Sequence, residues 1–197
     1  MHICGVTLQP LDLPTPQPRV GALLVAAPLL GDPNFARTVL LILEHDESGT
    51  FAVVINQPSD TTIESVLPEW EHTPVAGDVL YIGGPVAEDS ALGIGLFDRR
   101  TNAPESARAV TDDLGVIDLD EEPFLEGLRA IRIYAGYAGW EMGQLDDEID
   151  EGAWYCVAGG PEDVFDPDPK TLWRRVLKRQ PGELAFVATH SDDPALN

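Results

Sequence analysis

The chain has 197 residues, 44% of them hydrophobic, which suits one globular domain with a sizeable core and excludes a disordered chain. Thirty-four acids against twelve bases leave a formal net charge of −22, a field that repels polyanions and argues against a general nucleic-acid binder. The longest apolar run, Val20 to Leu30, has 11 residues and contains Pro28, about half of the roughly 20 residues that a membrane-spanning helix needs.

In chain order, residues 1–19 carry four prolines and little apolar periodicity, and read as a flexible Pro-rich leader ahead of a single domain over 20–197. No basic region precedes an apolar stretch at the N-terminus, so no signal peptide is expected. Cys4 and Cys156 then read as independent thiols in a reducing cytoplasm.

Gly21 to Ala27 is an apolar run of strand length, broken by Pro28 and followed by a turn at Asp32-Pro33-Asn34. Thr38 to His45 and Thr50 to Asn56 form a predicted hairpin closed at Glu47-Ser48-Gly49. Pro58 is expected to stop the second strand, and Thr61 with Glu64 has the spacing of a capping box for a short helix ending at Pro68.

Val79 to Ile82 and Ala91 to Phe97 read as strands around Gly83-Gly84-Pro85, with weaker strands at 108–110 and 116–119. Pro123 is placed as the first residue of a helix turning Phe124, Leu125 and Leu128 inward. Ala130 to Tyr137 is a central strand that feeds a glycine-punctuated stretch and an acidic helix with Leu145 and Ile149 on one face. Ala153 to Ala158 is a further strand. Lys170 to Arg179 is an amphipathic helix, and Leu184 to Ala188 reads as a last strand. Hairpins mixed with isolated helices predict an α+β class.

Four segments carry a resemblance. DPNFARTVLLILEH at 32–45, INQP at 55–58, GGPV at 83–86 and AGYAGWEMGQL at 135–145 together resemble the YqgE/AlgH family of bacterial proteins, over roughly residues 20–190. The resemblance implies a compact single-domain α+β structure with a bent, barrel-like mixed β-sheet and flanking short helices. It also implies a proposed role in regulating transcription of alginate production, and no particular reaction. The family usually has Arg where Gln57 stands, and Gly-Pro or similar in place of Glu141-Met142. Both differences weaken the case for an anion site here.

Candidate chemistry is sparse. Glu44-His45 invites an acid–base reading, but neighbours on a strand point to opposite faces and cannot easily cooperate. The four histidines are scattered, no Cys-x₂-Cys or His-x₃-His pair exists, and no phosphate-binding loop or nucleophile elbow is present. No cofactor and no metal site are therefore expected, and enzymatic activity is doubtful.

The 32–45 and 135–145 motifs are nonetheless expected to converge, since paired Gly-rich and polar segments call for a close approach, and a candidate ligand-binding cleft between them comprises Asp32, Asn34, Arg37, His45, Asn56, Trp140 and Gln144. In it Arg37 would be the fixed cation, with Trp140 and Gln144 across from it. The competing reading makes Asp32 and Asn34 turn residues and Trp140 a core anchor.

The basic face of the 170–179 helix is the one strip suited to phosphates. Between Ile133 and Pro169 there are ten acids and no Lys or Arg, so direct DNA binding is not expected. The first reading is thus a cytoplasmic, non-enzymatic regulatory or interaction protein whose partner is a protein or small molecule. The alternative is an enzyme or small-ligand binder using the cleft.

Overall fold

The computed structural model describes residues 17–70, 73–98, 107–121, 123 and 126–190. Three apolar segments begin the sheet. β1 (Ala22–Ala26) is buried at every position, and β2 (Val39–Asp46) and β3 (Gly49–Val54) form the expected hairpin. β4 (Pro58–Thr62) then leads into a short helix, α1 (Ile63–Val66), and a 3-10 turn at Pro68–Trp70.

β5 (Val79–Ile82) and β6 (Val86–Phe97) follow, then β7 (Ala107–Ala109) and β8 (Leu114–Ile117). β9 (Leu128–Glu141) is the longest strand. It hands over to α2 (Gln144–Asp150), β10 (Trp154–Ala158), α3 (Pro161–Val164), α4 (Pro169–Lys178) and α5 (Leu184–Val187).

The strands make one curled sheet in the order β10-β1-β2-β3-β9-β6-β8-β7, a half-barrel in an α+β domain. β5 adds to β9, and β4 adds to β5. Pairing is antiparallel throughout the named strands except between β5 and β9, which run parallel. β9 holds the sheet together, since its C-terminal end pairs with β3 and its middle with β5 and β6.

Side chains alternate across the sheet as the pleat requires. Leu23, Val25, Leu41, Leu43, Val53 and Tyr134 face the side covered by α4, whose Leu172, Trp173, Val176 and Leu177 complete the main core. On the opposite face, Leu24, Leu40, Ile42 and Ala138 pack with Trp140, Trp154 and α2's Leu145. A third cluster gathers Ile63, Trp70, Leu80, Ile131 and Ile133 under α1. Among the described residues, no helix is long and apolar enough to cross a membrane.

Four local expectations are corrected. Pro58 does not stop the chain but opens β4, a polar strand paired on one side only, where a residue without an N–H is tolerated. The residue preceding α1 is Thr62, not Thr61, and its side chain makes no capping bond. Leu128 starts β9 rather than lying in a helix; Phe124 and Leu125 lie outside the described residues. The 184–188 segment is helical because Leu184 and Val187 are its buried residues, and their spacing of three suits one helical face but not one strand face.

Candidate functional site

The glycine motifs have a backbone reason. The β5–β6 connection crosses β9 at contact distance, with Gly83 N–H donating to the Ala135 carbonyl (2.7 Å) and Val54 N–H to the Gly83 carbonyl (2.8 Å). A Cβ on Gly83 would overlap the Gly136 carbonyl, one on Gly84 the Tyr137 carbonyl, and one on Gly136 the Gly84 carbonyl. Gly84 (φ +155°) and Gly136 (φ +69°) also have backbones that favour glycine. GGPV and AGYAG therefore meet each other. The close backbone approach of 135–137 is thus made to the 83–84 turn.

The seven candidate residues do not gather at one place. Asp32 Oδ1 accepts the Asn34 N–H (2.9 Å), so these two shape the turn before β2. Asn56 is buried and braces that turn from below: its Oδ1 accepts Val39 N–H (2.8 Å), and its Nδ2 donates to the Arg37 carbonyl (2.9 Å). Arg37 has φ +59°, and its guanidinium lies 4.0 Å over the Trp173 ring, on the α4 side of the sheet.

Trp140 belongs to the opposite face. Its indole N–H donates to Glu148 Oε2 (2.9 Å), as does that of Trp154 (2.8 Å). Gln144 Nε2 donates to Glu148 Oε1 (2.9 Å), so Trp140 and Gln144 do meet, through a carboxylate not singled out from sequence. Phe35 stacks on Trp140 at 6.4 Å and meets Trp154 edge-on at 5.4 Å. The 32–45 and 135–145 segments thus touch through aromatic rings in a packed cluster, with Arg37 on the other side of the sheet. His45 lies at the hairpin end, Nδ1 2.8 Å from Thr50 Oγ1, while its neighbour Glu44 pairs with Arg108.

An open groove of about 490 Å³ lies at the β4 end of the sheet instead. Gln57, Ser59 and Thr61 line it from β4 and the residue before it, and Leu80, Tyr81 and Ile82 from β5. Glu88 contributes from an arch in β6. Between the pairs Val86–Tyr137 and Ala91–Ala135, β6 carries three more residues than β9, so 87–90 bow outward, with Ala87 at φ +48°. Of the seven candidates, only Asn34 reaches this groove. Two sequence signals pointed here: a polar PSDTT run unlike a buried strand, and the acidic residues straight after GGPV.

Beneath β5, Arg132 is 4% exposed. It donates to the carbonyls of Val164 (2.6 Å), Asp166 (3.1 Å) and Ala76 (3.3 Å), and lies 4.4 Å from the centre of the Tyr81 ring. The arginines of α4 and its C-terminal end are engaged locally. Arg179 forks onto the buried Asp163 carboxylate (2.6 and 2.7 Å), which raises its own pKa further, and Arg175 pairs with Asp166. Arg174 donates to the Ala188 carbonyl at 2.7 Å. Cys156 is a free, buried thiol whose pKa burial pushes up to about 11. Among the described residues no three His, Cys, Asp or Glu side chains come together as a metal site.

A curled half-barrel sheet, knotted at a glycine crossing and carrying helices on both faces, defines the structural class. The AlgH-like family model, DUF179, matches residues 23–185, and the chain belongs to that family. A UPF0301 protein of Streptomyces coelicolor is 48% identical over 182 residues, covering 90% of this chain and 94% of its own. The crystal structure of a Corynebacterium diphtheriae protein superposes with TM-score 0.85 at 34% identity, covering 90% and 95% of the two chains. The solution structure of AlgH from Pseudomonas aeruginosa superposes with TM-score 0.64 at 28% identity, over 87% and 93%.

Proposed function

We propose that this is a cytoplasmic binding protein without catalytic activity, which works as a regulatory or interaction module through the β4–β5–β6 groove. The observation that carries the reading is the groove's chemistry. Its polar side chains are Asn34, Gln57, Ser59, Thr61, Tyr81 and Glu88, which hydrogen-bond well but include no paired base and nucleophile. Concave sites with a few placed polar groups bind, and need not react.

Direct DNA binding is not part of this reading. The α4 arginines already have partners in Asp163, Asp166 and the backbone, and releasing them for phosphates would cost those bonds. The test is a thermal-shift screen of the full chain against peptides, sugars, nucleotides and metabolites. A ligand at one hundred times its Kd adds about 2.7 kcal/mol of stability. Hits are expected to vanish in Thr61→Trp, which fills the groove. Hits untouched by that change, or turnover of any of them, contradict the proposal.

A further inference from the structure

We infer that the groove, on the binding reading above, takes a basic segment of a partner polypeptide in extended form, with a Lys or Arg side chain set against Glu88. Glu88 is the one acidic or basic residue among the described residues that line the groove. It is exposed, and its side chain makes no ion pair or hydrogen bond among the described residues. The buried Arg132 lies behind Tyr81, and the exposed charges next to the lining residues in sequence are acidic. Asp60 lies between the lining residues Ser59 and Thr61, and Asp89 follows Glu88; both are exposed.

The sequence extends this pattern. From Thr38 to Asp98 there is no Lys or Arg, while eleven acids occur from Glu44 to Asp98. An anionic ligand would bring a charge into a site with no lining cation and acids on its rim. A cation would meet its complement, and complementary fields also speed encounter. The field thus selects against nucleotides, phosphates and acidic chains.

The shape of the site favours a chain over a compact ligand. β4 is five residues long and, among the described residues, pairs with β5 alone, so it flanks the groove as an edge strand, the element that extended peptides join. Ile82, which lines the groove, and Val86, next to the lining Pro85, are 46% and 39% exposed, giving apolar contact for the aliphatic stems of Lys and Arg. Gln57, Ser59 and Thr61 add hydrogen-bonding side chains along the β4 side.

The experiment is fluorescence polarisation with the full chain at about 150 mM salt, near physiological ionic strength. The probe is a short labelled peptide alternating Lys or Arg with Val, compared with its Glu and Ser counterparts. Saturable binding is expected for the basic peptide alone. Glu88→Lys should weaken it about tenfold or more, as for a contacting charge reversed. Asp150→Lys makes the same net-charge change at the C-terminal end of α2, where a cation suits the helix dipole, and should weaken it less than about twofold. Equal weakening by the two variants would reduce the effect to net charge and overturn the inference. So would spermidine competing as tightly as the peptide, which would make the ligand a free polyamine. Equal binding of the Ser peptide, still lost in Thr61→Trp, would overturn the basic-segment inference and leave the groove proposal standing. No binding of any of the three peptides would overturn this inference alone. Binding indifferent to both Glu88→Lys and Thr61→Trp would overturn both.

Discussion

The tryptophan end and the groove end of this sheet use polar residues in opposite ways. At the tryptophan end Trp140, Trp154 and Phe35 pack around the Glu148 carboxylate, which takes two indole N–H groups and the Gln144 amide. At the groove end Thr61 and Glu88 are exposed and make no side-chain bond among the described residues. Polar groups that satisfy one another hold a structure together, whereas polar groups facing an open concavity are available to a ligand. The residues that stand out in a sequence, large aromatics between glycines, belong here to the first kind.

This contrast predicts where substitutions cost stability, and the largest cost should come where the backbone itself is packed. Gly84→Ala puts a Cβ into the Tyr137 backbone, with no flexible side chain to yield. A loss of about 4 kcal/mol or failure to fold is expected, at the exceptional end for a single change. A soluble variant with an unchanged melting temperature would show that the crossing is looser than described.

Arg132→Met leaves three buried or half-buried carbonyls without their donor. About 3 kcal/mol should be lost in urea denaturation, since an orphaned buried acceptor costs more than a hydrogen bond gains. Glu148→Ala strands two indole N–H groups and should cost about 2 kcal/mol, while Thr61→Ala at the groove should fall within about 0.5 kcal/mol. Equal costs at these two positions would erase the distinction between the two ends.

A smaller effect is a pH dependence. Cys156 keeps its thiol proton to about pH 11 in the folded state, against about 9 ordinarily, because burial disfavours the thiolate; burial also raises the Tyr134 phenol. A raised folded pKa contributes stability that is complete below the unfolded value and is lost as pH climbs toward the folded one. Melting temperature should therefore fall from about pH 9 to 11, and fall less in Cys156→Ala. Identical alkaline profiles for the two proteins would assign that loss to other groups.

Much of the fold was legible in the sequence. Continuous apolar runs gave β1, β2, β5 and β10 to within a residue or two, and the apolar stripe of α4 names the buried side chains. β4 was hidden because an edge strand lined with Ser, Asp and Thr has no apolar alternation to read. Four-residue α5 was misread because so short an apolar run fits either period.

The site was less legible for a different reason. Arg37 and Trp140 sit in motifs separated by β3, which touch through the Phe35 ring, and a left-handed Arg37 ahead of β2 puts its guanidinium on the face opposite Trp140. Pleat direction around a bulge and a positive φ is fixed by tertiary packing, not by local sequence. The groove depends further on β4, β5 and β6 meeting at one end, which no single segment encodes.

The central claim, that binding belongs to the groove and not to the tryptophan cluster, is most directly tested by ¹⁵N–¹H correlation spectra of the full chain titrated with the basic Lys/Arg–Val peptide. The account predicts amide shifts concentrated at 57–61, 80–90 and 135, with the Trp140 and Trp154 indole signals unmoved. Shifts centred on those indoles and on α2, or along α4, would contradict it.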